Sequence, residues 1–482
     1  MILTVGIAYF AACALIGWLA ARRTKSAEDF FLAGRSVGLL PFAIAAMATT
    51  LSGFSFIGGP GLVYSIGLTA LFIILPAALT NTYGALVLGA RMRALGEQHA
   101  LMTVPDVLAL RYGSRAVQGW SAVAILVGVV GYLGTNVLAL GLVVRALFGL
   151  ELTAALWIGT AVLIAYSASG GILAGIWVDV FQGALMAIAS SIVFVFALDS
   201  GNGLAAITRA IETVNPALVG PWGARGAMVA LSFFFVFAVG SLGQPHIAHK
   251  YFMLKDARRL RWYPALMTVA MILAQLLFVG VGLAVKALVA RGEMPALATA
   301  DDATPQFLLR YVPEFVSALV FAGVAAAIMS TVNSFLNIGA AAITRDIPKA
   351  LGRTLDATQG LRSARLWTVA LAVMGAVTAQ LSGTLVAFLG IFGYGLFAST
   401  LVPALAIGLT WEHGTKQAAL ASILTGLVLT LALETAAYAK LISLPTGVTV
   451  SGLSLVTSIL VYVTVSLASQ PTRERRSSQL TA

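Results

Sequence analysis

Residues Ala48 to Gly61 read ATTLSGFSFIGGPG, a polar, glycine-rich patch inside a hydrophobic segment. A helix crossing a bilayer satisfies its backbone internally, because hydrocarbon offers no partner for a free N–H or C=O. Gly53, Gly58, Gly59, Pro60 and Gly61 work against a continuous helix here. Unwound backbone at membrane depth is tolerated where it is buried in protein or lines a polar cavity, and transporters use such breaks to hold ions and substrates. Small residues also let helices pack closely, and Ser and Thr bond back to their own helix. On this stretch alone both readings stand.

Composition places the patch in a membrane. The 482-residue chain is 60% hydrophobic and 10% charged, with a mean hydropathy of +0.96. A soluble domain carries roughly 25% charged residues. The single cysteine, Cys13, allows no internal disulfide. The four histidines, His99, His246, His249 and His413, fall in or beside loops, so a metalloenzyme is disfavoured.

Apolar runs of about 20 residues give about 13 expected spans, the glycine-rich patch lying in the second, 37–62. Residues 2–20 lack a basic leader and are followed by Arg22 and Arg23, which suits an uncleaved first span. Alternating the loops across the bilayer puts most of the 29 basic residues on one side. Cytoplasmic loops gather Lys and Arg, so the N-terminus is expected outside and the tail, with Arg473, Arg475 and Arg476, in the cytoplasm. An inner (plasma) membrane location follows. The net charge of +11 then serves topology and anionic lipid, with little support for nucleic-acid binding. No obligate protein partner is evident.

Further along, TVPDVLALRYGSR has Thr103 placed to cap a short interfacial helix, with Pro105 near its start. Span 4 carries Tyr132, Thr135 and Asn136, suited to interhelical hydrogen bonds or to substrate. Asp179 opens span 6; a carboxylate there is a functional candidate, or complements the helix dipole. Span 7, with Gly240, Ser241, Gly243 and Pro245, is a second weakened span. Spans 2–6 and 7–11 would then form two halves of five, each beginning with an interrupted helix, the best sequence pointer to a midplane transport site. In span 9, Ala327, Ser330 and Thr331 share one helix face. Two hydroxyls with a freed carbonyl nearby suit a hard, weakly charged cation, or a simple packing face. Tyr394, between Gly393 and Gly395 in span 11, is placed to reach a cavity.

The chain resembles the sodium:solute symporter family over nearly its whole length. The likeness rests on DFFLAGRSVG, SGFSFIGGPGLVYSIG, GGILAGIWVDVFQG, GQPHIAHKYFMLKDARRLR and AAAIMSTVNSFLN, in the family's order. The wording is most similar to the branch of pantothenate and proline carriers. The resemblance implies an all-α polytopic fold of leucine-transporter type, two inverted five-helix repeats each with a discontinuous first helix. Residues 1–36 would hold the first helix and a loop, 37–410 the transport core, 411–468 two further helices, and 469–482 the tail. It implies a sodium site from the carbonyls of Ala48 and Leu51 with Ala327, Ser330 and Thr331. It implies Asp179 on the sodium path to the cytoplasm. Substrate would lie against Ser52, Gly53, Phe54, Ser55 and the Phe235–Gly240 region, with Tyr394 a weaker addition. One departure is Thr50, where proline carriers place an Asp; it weakens a straight proline assignment and leaves sodium to neutral oxygens.

The expected function is sodium-coupled import of a small organic solute, carboxylate-bearing, by alternating access, with no enzyme activity. Rival readings are a proton-coupled or facilitative carrier on the same scaffold, or a transporter-like solute sensor.

Overall fold

The computed structural model describes residues 2–21, 37–99, 101–169, 172–255, 261–353, 357–383, 385–445 and 447–470. The AEDFFLAGRS stretch, Gly170–Gly171, part of DARRLR and the tail arginines lie outside them.

The expected polytopic helical architecture is present. The helices that frame the site and its surroundings are, in chain order, α1 (Ile2–Ala21), α2 (Leu39–Thr50), α3 (Gly59–Ile66, entered through a π-helical turn at Phe54–Gly58), α4 (Leu71–Gly84) and α5 (Val104–Tyr112). The chain continues with α6 (Arg115–Phe148), α7 (Leu152–Ser169), α8 (Ile172–Ser200), α9 (Gly226–Gly240), α10 (Pro245–Lys250) and α11 (Tyr263–Ala290). The last part holds α12 (Ala303–Tyr311), α13 (Glu314–Ala341), α14 (Ala357–Ser382), α15 (Val386–Val402), α16 (Lys416–Tyr438) and α17 (Val450–Ala468). Among the described residues the one β-pairing is a parallel bridge between Val37 and Leu254, tying the entry of α2 to the segment after α10.

The count of 13 spans is not confirmed among the described residues. Ten helices among the described residues are long and apolar enough to cross a bilayer, and Thr4–Cys13, Leu39–Thr50 and Leu152–Ala165 are apolar but shorter. The broken second span explains part of this. Its first half is short by itself, while its second half is continuous in hydropathy with the next helix, as Phe54–Pro76.

The break lies one step before the glycines. Helix α2 stops at Leu51, which is extended (φ −83°, ψ 132°), and helical backbone resumes at Gly53. Residues Gly53 to Gly61 are helical after all, and their role is close approach. A Cβ on Gly53 would sit 2.4 Å from the Ala139 Cβ, and one on Gly59 would sit 2.1 Å from the Phe278 ring. The chain turns sharply at Gly67 (φ 62°), where a side chain would meet the Leu218 carbonyl at 2.0 Å.

The second break follows a similar plan. Helix α9 tightens into a 3-10 turn at Ser241–Gly243, Gln244 is extended (ψ 108°), and α10 restarts at Pro245. Proline suits that first turn because its missing N–H would have no helical partner.

Candidate functional site

At the first break, the last backbone bond of α2 is Leu51 N–H to Met47 O at 2.9 Å. The carbonyls beyond it have lost their helical donors, and buried carbonyls need partners. Helix α13 supplies one. Thr331 Oγ1 donates to Leu51 O at 2.7 Å and lies 3.3 Å from Thr49 O. Ala48, Leu51, Ala327, Ser330 and Thr331 are all buried to within 1%. The Ser330 hydroxyl, one residue before Thr331, has no hydrogen-bond partner. A buried, unpartnered hydroxyl one residue before the Thr331 that reaches the freed carbonyls leaves an oxygen with room for a cation. The five residues therefore fit a sodium ion.

Asp179 stands next to this set. It lies two turns into α8, well past the first turn, so the helix-dipole reading does not apply. Its Oδ2 accepts from Lys250 Nζ at 2.7 Å in a pair whose side chains are 4% and 7% exposed. Thr49 Oγ1 approaches the same oxygen at 3.4 Å, and Asp179 Oδ1 has no partner. Lys250 follows the second weakened span along the chain, and folding of α10 carries it into the protein interior. A polar cavity lies against this pair, lined by Asp179, His249, Lys250, Asn333, Ser334 and Asn337.

Between the two breaks, aromatic rings close over one another. Phe54 stacks on Phe237 at 6.2 Å, and Phe237 on Tyr394 at 4.3 Å. Tyr394 Oη donates to the Phe237 carbonyl at 2.9 Å. Phe237, within the expected Phe235–Gly240 region, makes these contacts. Phe235, two positions earlier and so roughly 200° away around the helix, is only partly buried. Gly240 is needed for this closure, since a Cβ there would lie 2.9 Å from the Tyr394 ring. Deeper in, Tyr132 stacks on Phe335 at 4.6 Å, and His246 meets Phe335 at 4.5 Å.

Polar groups line the same space. Gly53 N–H donates to Asn136 Oδ1 at 3.0 Å, and Phe54 N–H to Ser52 Oγ at 3.2 Å, so the first donors of the half-helix after the break are held by side chains. Ser55 is also buried. Gln244 Nε2 donates to the carbonyls of Gly240 (3.0 Å) and Tyr394 (3.3 Å). Gln244 Oε1 and His246 Nδ1 are buried without partners. Thr135 bonds back to Gly131 O. Sequence reasoning missed Lys250, Gln244, His246 and Phe335; the GQPH turn was the available signal for the middle two.

Ala300–Asp302 and α12 pack against the helix that follows the first break. Asp301 Oδ2 accepts from Val386 N–H at the start of α15 at 2.8 Å, and Thr304 Oγ1 donates to Phe56 O at 2.7 Å. Burial raises the Asp301 carboxyl to about 7, against the Val386 hydrogen bond and with the Asp302 charge adding to it. Helix α5 is capped by Thr103 as expected. It carries Asp106, which binds Arg345 at 2.5 Å and Lys349 at 2.8 Å. Burial works to raise the Asp106 carboxyl, but those two cations outweigh it and hold it below its usual value.

Comparison with known proteins decides the family. The profile of the sodium:solute symporter family matches residues 30–426. This chain belongs to the sodium:solute symporter family. It is similar to the osmoregulated proline transporter OpuE of Bacillus subtilis, 28% identical over 91% of this chain and 90% of that one. Similarity to the sodium/pantothenate symporter of Escherichia coli is 26%, over 85% and 84% of the two chains. In fold it matches an outward-open, substrate-bound Na+-coupled sialic acid symporter, with TM-score 0.77, 18% identity and 98% of each chain covered. A nucleobase-cation-symport-1 family transporter in a closed conformation matches with TM-score 0.55, 17% identity, over 92% and 94%. The symporter is thus an integral membrane protein of leucine-transporter type. It couples a small organic solute to sodium.

Proposed function

We propose that the symporter imports a carboxylate-bearing solute of the size of proline, pantothenate or a short monocarboxylate, and that it has no enzyme activity. The 37–410 core does this work, with the N-terminus outside and the C-terminus cytoplasmic. Sodium binds the carbonyls of Ala48, Leu51 and Ala327 with the hydroxyls of Ser330 and Thr331, and leaves past Asp179. The observation that carries this reading is the 2.7 Å bond from Thr331 Oγ1 to the carbonyl freed at the α2 break.

The solute occupies the space between the breaks, framed by Ser52, Gly53, Phe54, Ser55, Phe237, Gly240 and Tyr394. Its carboxylate takes over the Gly53 and Phe54 N–H groups now held by Asn136 and Ser52, which the positive end of a half-helix favours. Gln244 Oε1 is free to accept from a donor elsewhere on the solute. Sodium and solute each favour the doubly occupied, occluded state, so each raises the other's affinity.

The test is uptake into proteoliposomes of a labelled panel (proline, pantothenate, acetate, pyruvate, amino acids, sugars) under an inward sodium gradient and an equal potassium gradient. Sodium-dependent accumulation of one carboxylate-bearing solute is expected. Accumulation of sugars alone would remove the carboxylate assignment.

A further inference from the structure

The Asp179–Lys250 pair has chemistry that the single sodium site leaves unused. A carboxylate buried to this depth must be neutralised, because an uncompensated charge in the protein interior of a membrane is costly. Around Asp179 lies a set of oxygens. Neither its own Oδ1 nor the Ser330 hydroxyl has a hydrogen bond within 3.5 Å, and that hydroxyl lies near enough to act on the Asp179 carboxylate. Thr49 Oγ1 lies 3.4 Å from Oδ2 and 3.5 Å from Ser334 Oγ. One carboxylate with three hydroxyls is a harder, more anionic donor set than the neutral oxygens at the break, and it calls for a cation of its own. The cation present is covalently attached to the chain. Lys250 Nζ sits 2.7 Å from Oδ2, delivered by the short helix that begins at the second break.

We propose that the Lys250 ammonium is a tethered cation filling a second cation position beside the sodium site, so that one sodium is coupled to each solute. This rests on the sodium-symport reading above and adds the coupling ratio to it. A tethered ammonium neutralises Asp179 in every state in which the two meet, yet it is never released to the cytoplasm. It therefore contributes no transported charge and draws no energy from the sodium gradient. The pair also joins the two broken helices. Lys250 rides on the second, and Thr49, touching the same carboxylate, ends the first.

The experiment counts bound sodium. Equilibrium binding of radioactive sodium to the purified full-length protein, without solute, gives sites per chain. The wild type is expected to bind one. Lys250→Met strips the carboxylate of its partner and is expected to bind two, with sodium dependence steepening toward a Hill coefficient of about two. Lys250→Gln serves as a second variant if the methionine form does not fold. Lys250→Met/Asp179→Asn, which removes the charge to be neutralised, returns to one, as does Lys250→Arg. Two sites in the wild type, or one site in folded Lys250→Met and Lys250→Gln, overturns the tethered cation and leaves sodium symport intact. No saturable sodium binding to the wild type overturns the sodium reading itself, and this proposal with it.

Discussion

Thr331 on α13 donates its hydroxyl to the carbonyl of Leu51, where α2 ends, at 2.7 Å. The bond joins residues 280 positions apart. It satisfies a carbonyl that has no helical donor. The same two oxygens belong to the proposed sodium site, so there sodium binding and closure of α2 on α13 would involve one set of atoms.

Removing that hydroxyl therefore has a specific cost. Thr331→Ala is expected to raise the sodium concentration for half-maximal uptake about tenfold, which is about 1.4 kcal/mol. Thr331→Ser should recover most of it. Ser330→Ala removes an unpartnered oxygen and should weaken sodium activation without destabilising the sodium-free protein. Sodium titrations of uptake, beside thermal unfolding in detergent, separate the two variants.

Gly59 allows α3 to lie against α11. A methyl there would meet the Phe278 ring at 2.1 Å, and overpacking of this kind costs about 1–3 kcal/mol. Gly59→Ala is expected to lower the unfolding temperature and impair transport. Adding Phe278→Leu, which makes room, should restore part of both.

Asp301 gives the contact between Ala300–Asp302 and the start of α15 a pH dependence with a definite sign. Its carboxyl is raised to about 7 by burial. A raised acid binds more protons when folded, so stability is highest below the unfolded value and falls as pH rises toward 7. Asp301→Asn keeps an acceptor for Val386 N–H and should remove that slope. Unfolding temperature measured from pH 4.5 to 8 checks it; an unchanged slope in the variant would reject the assignment.

Asp106 behaves oppositely. Arg345 and Lys349 hold its carboxyl low, so its contribution is present at neutral pH and lost only on acidification through the folded value. Asp106→Asn frees two cations in the helical segments that follow α13 and should cost about 1–3 kcal/mol at pH 7. The difference from wild type should shrink in strongly acidic buffer, as unfolding curves at both pH values would show.

Much of this protein was legible along the chain. Hydropathy, the clustering of basic residues and glycine interruption at corresponding spans are properties of neighbouring residues. They were enough for a polytopic carrier with two broken helices. The helical repeat alone set Ala327, Ser330 and Thr331 on one face. What the glycines were for was not legible: Gly53 and Gly59 lie inside helix and make room for Ala139 and Phe278, contacts made across 86 and 219 positions. The partner of Asp179 was hidden in the same way. Lys250 reads as one more loop cation until the chain restarts its helix at Pro245 and carries the ammonium inward. Local pattern determines where a helix runs and where it weakens. Only tertiary packing decides which distant side chain satisfies each freed carbonyl and each buried charge, because those partners are fixed by distance in space.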